Sequence, residues 1–139
     1  MPKEDQLEIA AAAHAELEAL HARFMAAVSS LKEPNVNGAE FTVAESELQC
    51  TCLGIRMKAR HRLYVLDGMF KGLEYAFVKE YAGEWLSIWS MYLLPDQSVY
   101  SDSNGHDVIC SMSNPYLASR LAPHLASALL ASKIFAPRA

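Results

Sequence analysis

The chain has 139 residues, of which 52% are hydrophobic and 20% are charged, and its formal net charge is −4. This size and composition indicate one globular domain over residues 1–139 and argue against a disordered chain. The acidic balance disfavours non-specific nucleic-acid binding by the whole molecule, so nucleic acid is not an expected partner. Because no apolar run is long enough for a bilayer and Met1–Asp5 lack a secretory-signal pattern, we expect no membrane association.

Three cysteines, Cys50, Cys52 and Cys110, show neither the number nor the spacing of a disulfide framework. An odd count of this kind favours reduced thiols and therefore a cytoplasmic protein. One residue separates Cys50 from Cys52, which does not fit redox or most zinc motifs. The sequence also lacks a phosphate-binding glycine loop, a nucleophile motif and a complete calcium loop, so we expect no metal and no cofactor.

The first predicted element is one long helix from about Glu4 to Lys32. Apolar residues and two histidines recur along it at steps of three and four: Leu7, Ala10, His14, Leu17, His21, Phe24, Val28 and Leu31. This spacing predicts an apolar face that lies across a sheet. His14 and His21 are too far apart to bind one metal ion together, so we interpret both as boundary residues with one ring nitrogen in water.

The best-defined strands form a hairpin from Ile55 to Tyr81. Between Ile55 and Val65, apolar residues alternate with four basic residues, Arg56, Lys58, Arg60 and Arg62, which we call the basic row. A period of two predicts a strand with one buried face. Asp67-Gly68 predicts a two-residue type I′ turn that pairs Leu66 with Met69 and all earlier residues in step.

Further strands are predicted on both sides of this hairpin. Residues from Glu40 to Leu53 read as a strand region, and Trp85 to Leu94 as a strand with two apolar faces. Ala82-Gly83 and Asn104-Gly105 predict tight turns after the central hairpin.

The last predicted element is a C-terminal helix that starts at Asn114-Pro115 and is kinked or broken near Pro123. The expected fold is α+β. A long N-terminal helix and the C-terminal helix pack on one face of an antiparallel meander of about five or six strands.

The predicted register places His61 opposite Glu74 on an otherwise apolar face of the sheet. A histidine and a carboxylate in contact can share a proton, so His61 and Glu74 are the candidate catalytic or orienting pair. They would lie at the floor of an apolar pocket that Trp89 and Met91 also line. The competing interpretation, favoured for buried ion pairs, is a structural pair that fixes the register of the strands.

The same register turns Leu73, Tyr75 and Phe77 toward the opposite face, where Leu86, Ile88 and Tyr92 would extend an exposed apolar patch. A two-fold partner would cover such a patch. We therefore expect a non-enzymatic binding or interaction protein that acts as a homodimer and binds a small molecule or another protein. The alternative is a small enzyme or ligand pocket between the helices and the sheet that uses His61 and Glu74.

The basic row is a second, weaker candidate site, for a polyanion. With Tyr64 on the same strand, and Tyr75 and Phe77 opposite, the row resembles a surface for stacking bases and holding phosphates. Pairing with Glu45 and Glu47, or packing of the basic side chains over aromatic rings, explains the same pattern without a ligand.

Overall fold

A long helix, an antiparallel sheet and a second helix follow one another along residues 3–137, which the computed structural model describes. The helices are α1 (Lys3–Ser29) and α2 (Leu117–Leu130), and a short 3-10 helix spans Lys133–Phe135. The strands are β1 (Asn35–Val36), β2 (Ala39–Ala44), β3 (Glu47–Cys52), β4 (Ile55–Leu66), β5 (Met69–Tyr81), β6 (Glu84–Leu93), β7 (Ser98–Tyr100) and β8 (Val108–Ser111). All eight strands pair in chain order, which confirms the α+β class with more strands than expected.

Five two-residue turns connect β1 to β6. They are Asn37-Gly38, Glu45-Ser46, Leu53-Gly54, Asp67-Gly68 and Ala82-Gly83, and both residues of each turn have positive φ. This is the type I′ conformation, whose twist matches that of the flanking strands. The predicted turns at Asp67-Gly68 and Ala82-Gly83 are confirmed, because Leu66 pairs with Met69 and Tyr81 with Glu84.

The predicted type I′ turn at Asn104-Gly105 is wrong. Residues 101–107 form a longer loop between β7 and β8. The carboxylate of Asp102 accepts hydrogen bonds from the backbone N–H groups of His106 and Asp107, at 3.0 and 2.8 Å. One short polar side chain therefore organises this loop through local hydrogen bonds.

Both helices pack on the inner face of the curled sheet, where they share one hydrophobic core with it. The largest completely enclosed side chains include Tyr75, Phe24, Phe41, Phe77, Met57 and Met91. In residues 3–137, neither helix combines the length and the apolar character that crossing a bilayer requires.

Only the second half of α1 takes part in this core. Its buried residues are Leu17, Leu20, His21, Phe24, Met25 and Val28. None of residues 3–16 is buried, and Leu7 is 71% exposed. The predicted apolar stripe thus packs on the sheet from Leu17 onward, and residues 3–16, nearly four turns of helix, do not.

The second helix runs through Pro123 as one segment, so it is not broken there. It begins at Leu117, two residues after the predicted start at Pro115. Before it, the Asn114 side chain accepts a hydrogen bond from the backbone N–H of Tyr116 at 2.8 Å. Asn114 therefore stabilises the turn that leads into the helix.

A bulge in the central hairpin changes the predicted register. Tyr64 pairs with Gly72 and Val65 with Phe70, which leaves Lys71 as an extra residue in β5. Since side chains alternate between faces, one extra residue exchanges the faces of all residues beyond it.

The prediction that His61 faces Glu74 is therefore wrong. His61 pairs with Tyr75, and Glu74 pairs with Arg62 on the outer face. For the same reason Leu73, Tyr75 and Phe77 do not form an exposed patch, because all three are fully buried on the inner face.

Candidate functional site

A buried histidine connects α1 to two parts of the sheet. The His21 side chain is only 6% exposed. Its Nε2 donates a hydrogen bond to the Ser46 carbonyl oxygen at 2.9 Å, and because a carbonyl only accepts, Nε2 carries the proton. In the neutral ring, Nδ1 then accepts from the Tyr75 hydroxyl at 2.8 Å. Both ring nitrogens are engaged within the protein, so the boundary interpretation of His21 is wrong.

The ring of His61 lies directly on that of His21. Their centroids are 3.7 Å apart and their planes differ by 10°. Burial lowers the pKa of His61, the adjacent His21 lowers it further, and Glu18 and Glu47 act in the opposite direction. Burial also raises the pKa of Tyr75, so its hydroxyl stays protonated. His61 is thus a neutral proton acceptor that stacks on a fixed ring.

The four residues predicted to line a pocket do not share one face of the sheet. Glu74 lies on the outer face, where Arg62 Nε donates to Glu74 Oε1 at 2.6 Å. On the inner face, Met91 is completely buried, and Trp89 stacks on His124 with centroids 5.3 Å apart. His61 therefore has no carboxylate from Glu74 to orient it, and the proposed acid–base pair does not form.

An exposed surface that the sequence did not predict lies between the N-terminal half of α1 and the tip of the β4–β5 hairpin. We call it the apolar groove. It encloses about 530 Å³ and is lined by Gln6, Ile9, Ala10, Ala13, Val65, Gly68, Met69 and Phe70. A second groove of about 270 Å³ shares Ala13 and Phe70 with it and extends along α1 to Arg23.

The apolar groove is uncharged and widely open to solvent. Ile9 is 46% exposed, Val65 56% and Met69 64%. Contiguous apolar surface of this kind is typical of interaction sites. Of the residues in the predicted stripe of α1, only Ala10 lines this groove, and Ile9 and Ala13 lie beside the stripe, so helical periodicity gave no signal for it.

The basic row lies on the outer face, where Trp85 of β6 joins it. The centre of the Trp85 ring is 4.7 Å from Lys58 Nζ and 4.4 Å from Arg60 Cζ. Trp85 is 49% exposed, and a groove of about 310 Å³ beside it is lined by Arg56, Lys58, Lys79 and Glu80 among others. Within residues 3–137, neither Glu45 nor Glu47 forms an ion pair with the basic row.

The three cysteines are free and buried. Burial raises the pKa of Cys50 to about 12 and that of Cys110 to about 11, so both remain thiols at neutral pH and are weak nucleophiles. In the described part of the chain, no group of three or more His, Cys, Asp or Glu side chains is arranged to hold a metal ion.

No family model, curated protein or solved structure matches this chain. Three features of the structure bear on function: the stacked histidines, the apolar groove and the basic row with Trp85.

Proposed function

We propose that this protein is a non-enzymatic interaction domain that acts as a homodimer, and that its two copies meet at the apolar groove. This location replaces the one expected from the sequence, since Leu73, Tyr75 and Phe77 lie inside the core. The partner in this proposal is a second copy of the chain, because the exposed apolar surface of one copy can pack against the same surface of another.

The observation that carries the proposal is the exposed first half of α1. In one copy, no residue of 3–16 is buried, although this segment contains Leu7, Ile9 and four consecutive alanines, Ala10–Ala13. The packed second half of α1 keeps this segment helical, because propagation from a formed helix is favourable, but the apolar side chains of the segment remain in water. A contact that covers this segment would bury apolar area and stabilise the helix at the same time.

The same surface contains projecting and recessed parts, as a two-fold interface requires. Leu7 and Met69 are 71% and 64% exposed, and Met69 stands at the wall of the apolar groove of about 530 Å³. The residues that line the recess carry no charge, and interface centres are depleted of charged residues. Leu7 and Met69 of one copy would then pack against the recess of the other.

A non-enzymatic role is supported by the state of the ionisable groups on the inner face. Both nitrogens of His21 are engaged, and Glu74 lies on the other face of the sheet. A general base is usually oriented by a second side chain, and Glu74, which pairs with Arg62, does not supply that side chain to His61. Stacking on His21 gives the His61 ring a structural role instead.

Sedimentation equilibrium of the wild type and two matched variants tests the proposal. Val65→Lys places a charge in the apolar groove. Val108→Lys places the same charge on β8, where the valine is 58% exposed, against 56% for Val65. We expect a dimer mass for the wild type and for Val108→Lys, and a monomer mass for Val65→Lys. A monomeric wild type at high concentration, or equal dissociation of both variants, would overturn the proposal.

A further inference from the structure

We propose that the outer face of the sheet binds single-stranded nucleic acid, with a base stacked on Trp85 and phosphates held by Arg56, Lys58 and Arg60. This site is independent of the homodimer interface, because it rests on β4 and β6 and the apolar groove rests on α1 and the hairpin tip. The net charge of −4 describes the whole chain, whereas binding depends on the local distribution of charge.

The spacing of the basic row suits an extended strand of nucleic acid. Arg56, Lys58 and Arg60 alternate along β4, so they point to one face at intervals of about 6.6 Å. Successive phosphates along an extended single strand are separated by a similar distance. One strand of the sheet can therefore place a cation near each of several consecutive phosphates.

These cations are available because intramolecular carboxylates do not neutralise them. Among residues 3–137, the ion pairs are His14–Glu18 and Arg62–Glu74. Arg62 is thus occupied, and the groove beside Trp85 adds Lys79 as a further cation and Glu80 as one opposing charge. The charged residues that line this groove are then Arg56, Lys58 and Lys79 against Glu80, a net charge of +2.

Trp85 supplies the feature that favours a single strand over other polyanions. The indole is 49% exposed on a sheet face, where a free base can stack on it. Lys58 and Arg60 lie over the ring at cation–π distances, so a stacked base would displace one of them toward the adjacent phosphate. Aromatic rings interleaved with cations are the usual means of binding single strands without sequence preference, and bases inside a duplex are not free to stack in this way.

Fluorescence anisotropy with a labelled oligothymidylate at low salt tests the proposal on the full chain. We expect binding with quenching of tryptophan fluorescence, and a slope of about −2 for log affinity against log salt if three phosphates are neutralised. Arg60→Gln should weaken binding and reduce the slope by about 0.7. Trp85→Leu should weaken binding by about fivefold or more and remove the quenching.

Arg120→Gln is the matched control. It removes the same charge from an exposed position on α2, the helix that packs on the inner face of the sheet. It should leave affinity and slope unchanged, and circular dichroism should show all variants folded. Absence of binding at low salt would overturn the proposal, as would an equal loss for Arg120→Gln and Arg60→Gln. Equal affinity for duplex DNA or heparin, with no effect of Trp85→Leu, would also overturn it.

Discussion

The imidazole rings of His21 and His61 stack face to face with their centroids 3.7 Å apart. One ring comes from α1 and the other from β4, so the stack connects the long helix to the sheet. His21 is held in a single tautomer by Ser46 and Tyr75. Two charged rings at this distance would repel each other, which is one reason why the pKa of His61 is lowered.

The free energy of unfolding should decrease as the pH falls below about 6.5, the ordinary pKa of histidine. The unfolded chain then binds a proton at His61 that the folded chain binds only at lower pH, because burial and His21 lower the folded-state pKa. The contribution of His61 to the free energy of unfolding is complete above about pH 6.5. It is lost as the pH falls toward the lowered pKa of His61 in the folded state. Urea unfolding on both sides of pH 6.5 measures it.

His61→Phe keeps a ring on His21 and should flatten this pH dependence. His106→Gln, in the exposed loop before β8, should preserve it. If His61→Phe and the wild type gave parallel profiles, the assignment of the pH dependence to His61 would be wrong.

His21→Phe should lower the free energy of unfolding by about 1–3 kcal/mol, because it leaves the buried Tyr75 hydroxyl without its partner. The double variant His21→Phe/Tyr75→Phe should recover part of that loss, since both partners are then apolar. Chemical denaturation of the two single variants and the double variant measures the coupling. Strictly additive losses would mean that the two side chains do not interact.

Gly72→Ala should destabilise the fold by about 1–3 kcal/mol. A Cβ at Gly72 would lie 2.6 Å from the Leu93 carbonyl oxygen, which belongs to the neighbouring backbone and has little freedom to move. Ala76→Ser, a small addition on the same strand, should change stability by less than about 0.5 kcal/mol. Equal thermal unfolding of these two variants would contradict the close approach of Gly72 to the Leu93 carbonyl.

Arg62→Ala should cost about 1 kcal/mol, because the Arg62 side chain is 68% exposed and water screens the pair from that side, while the Glu74 side chain is only 17% exposed. The effect should become smaller still at high salt. Thermal unfolding at two salt concentrations measures both. A loss as large as that of His21→Phe would show that the pair on the outer face is not screened.

The turn at Asp67-Gly68 could be predicted because both of its residues tolerate positive φ. The register several residues further on could not, since nothing in the local sequence marks the extra residue at Lys71. Glu45-Ser46 forms the same kind of turn without a glycine or an asparagine, and its sequence carries no such signal. Local chemistry therefore predicted individual turns, and tertiary contacts decided which side chains face each other.

The candidate site likewise combines features that local sequence predicts with features that only tertiary contacts decide. Sequence periodicity identified α1 but could not show that the sheet covers it only from Leu17 onward. The contact of His21 with Tyr75 joins residues 54 positions apart and leaves no local pattern. By contrast, the basic row was predicted correctly as one face of β4, because strand alternation is local. Its predicted aromatic neighbours Tyr75 and Phe77 lie in the core instead, and the ring that contacts the row is Trp85 of β6.

Hydrogen–deuterium exchange at low and high protein concentration shows whether two copies meet through the first half of α1. We expect the backbone amides of residues 7–16 to exchange more slowly at high concentration, while those of Leu117–Leu130 in α2 do not change. Exchange in residues 7–16 that is fast and independent of concentration would contradict that contact between copies.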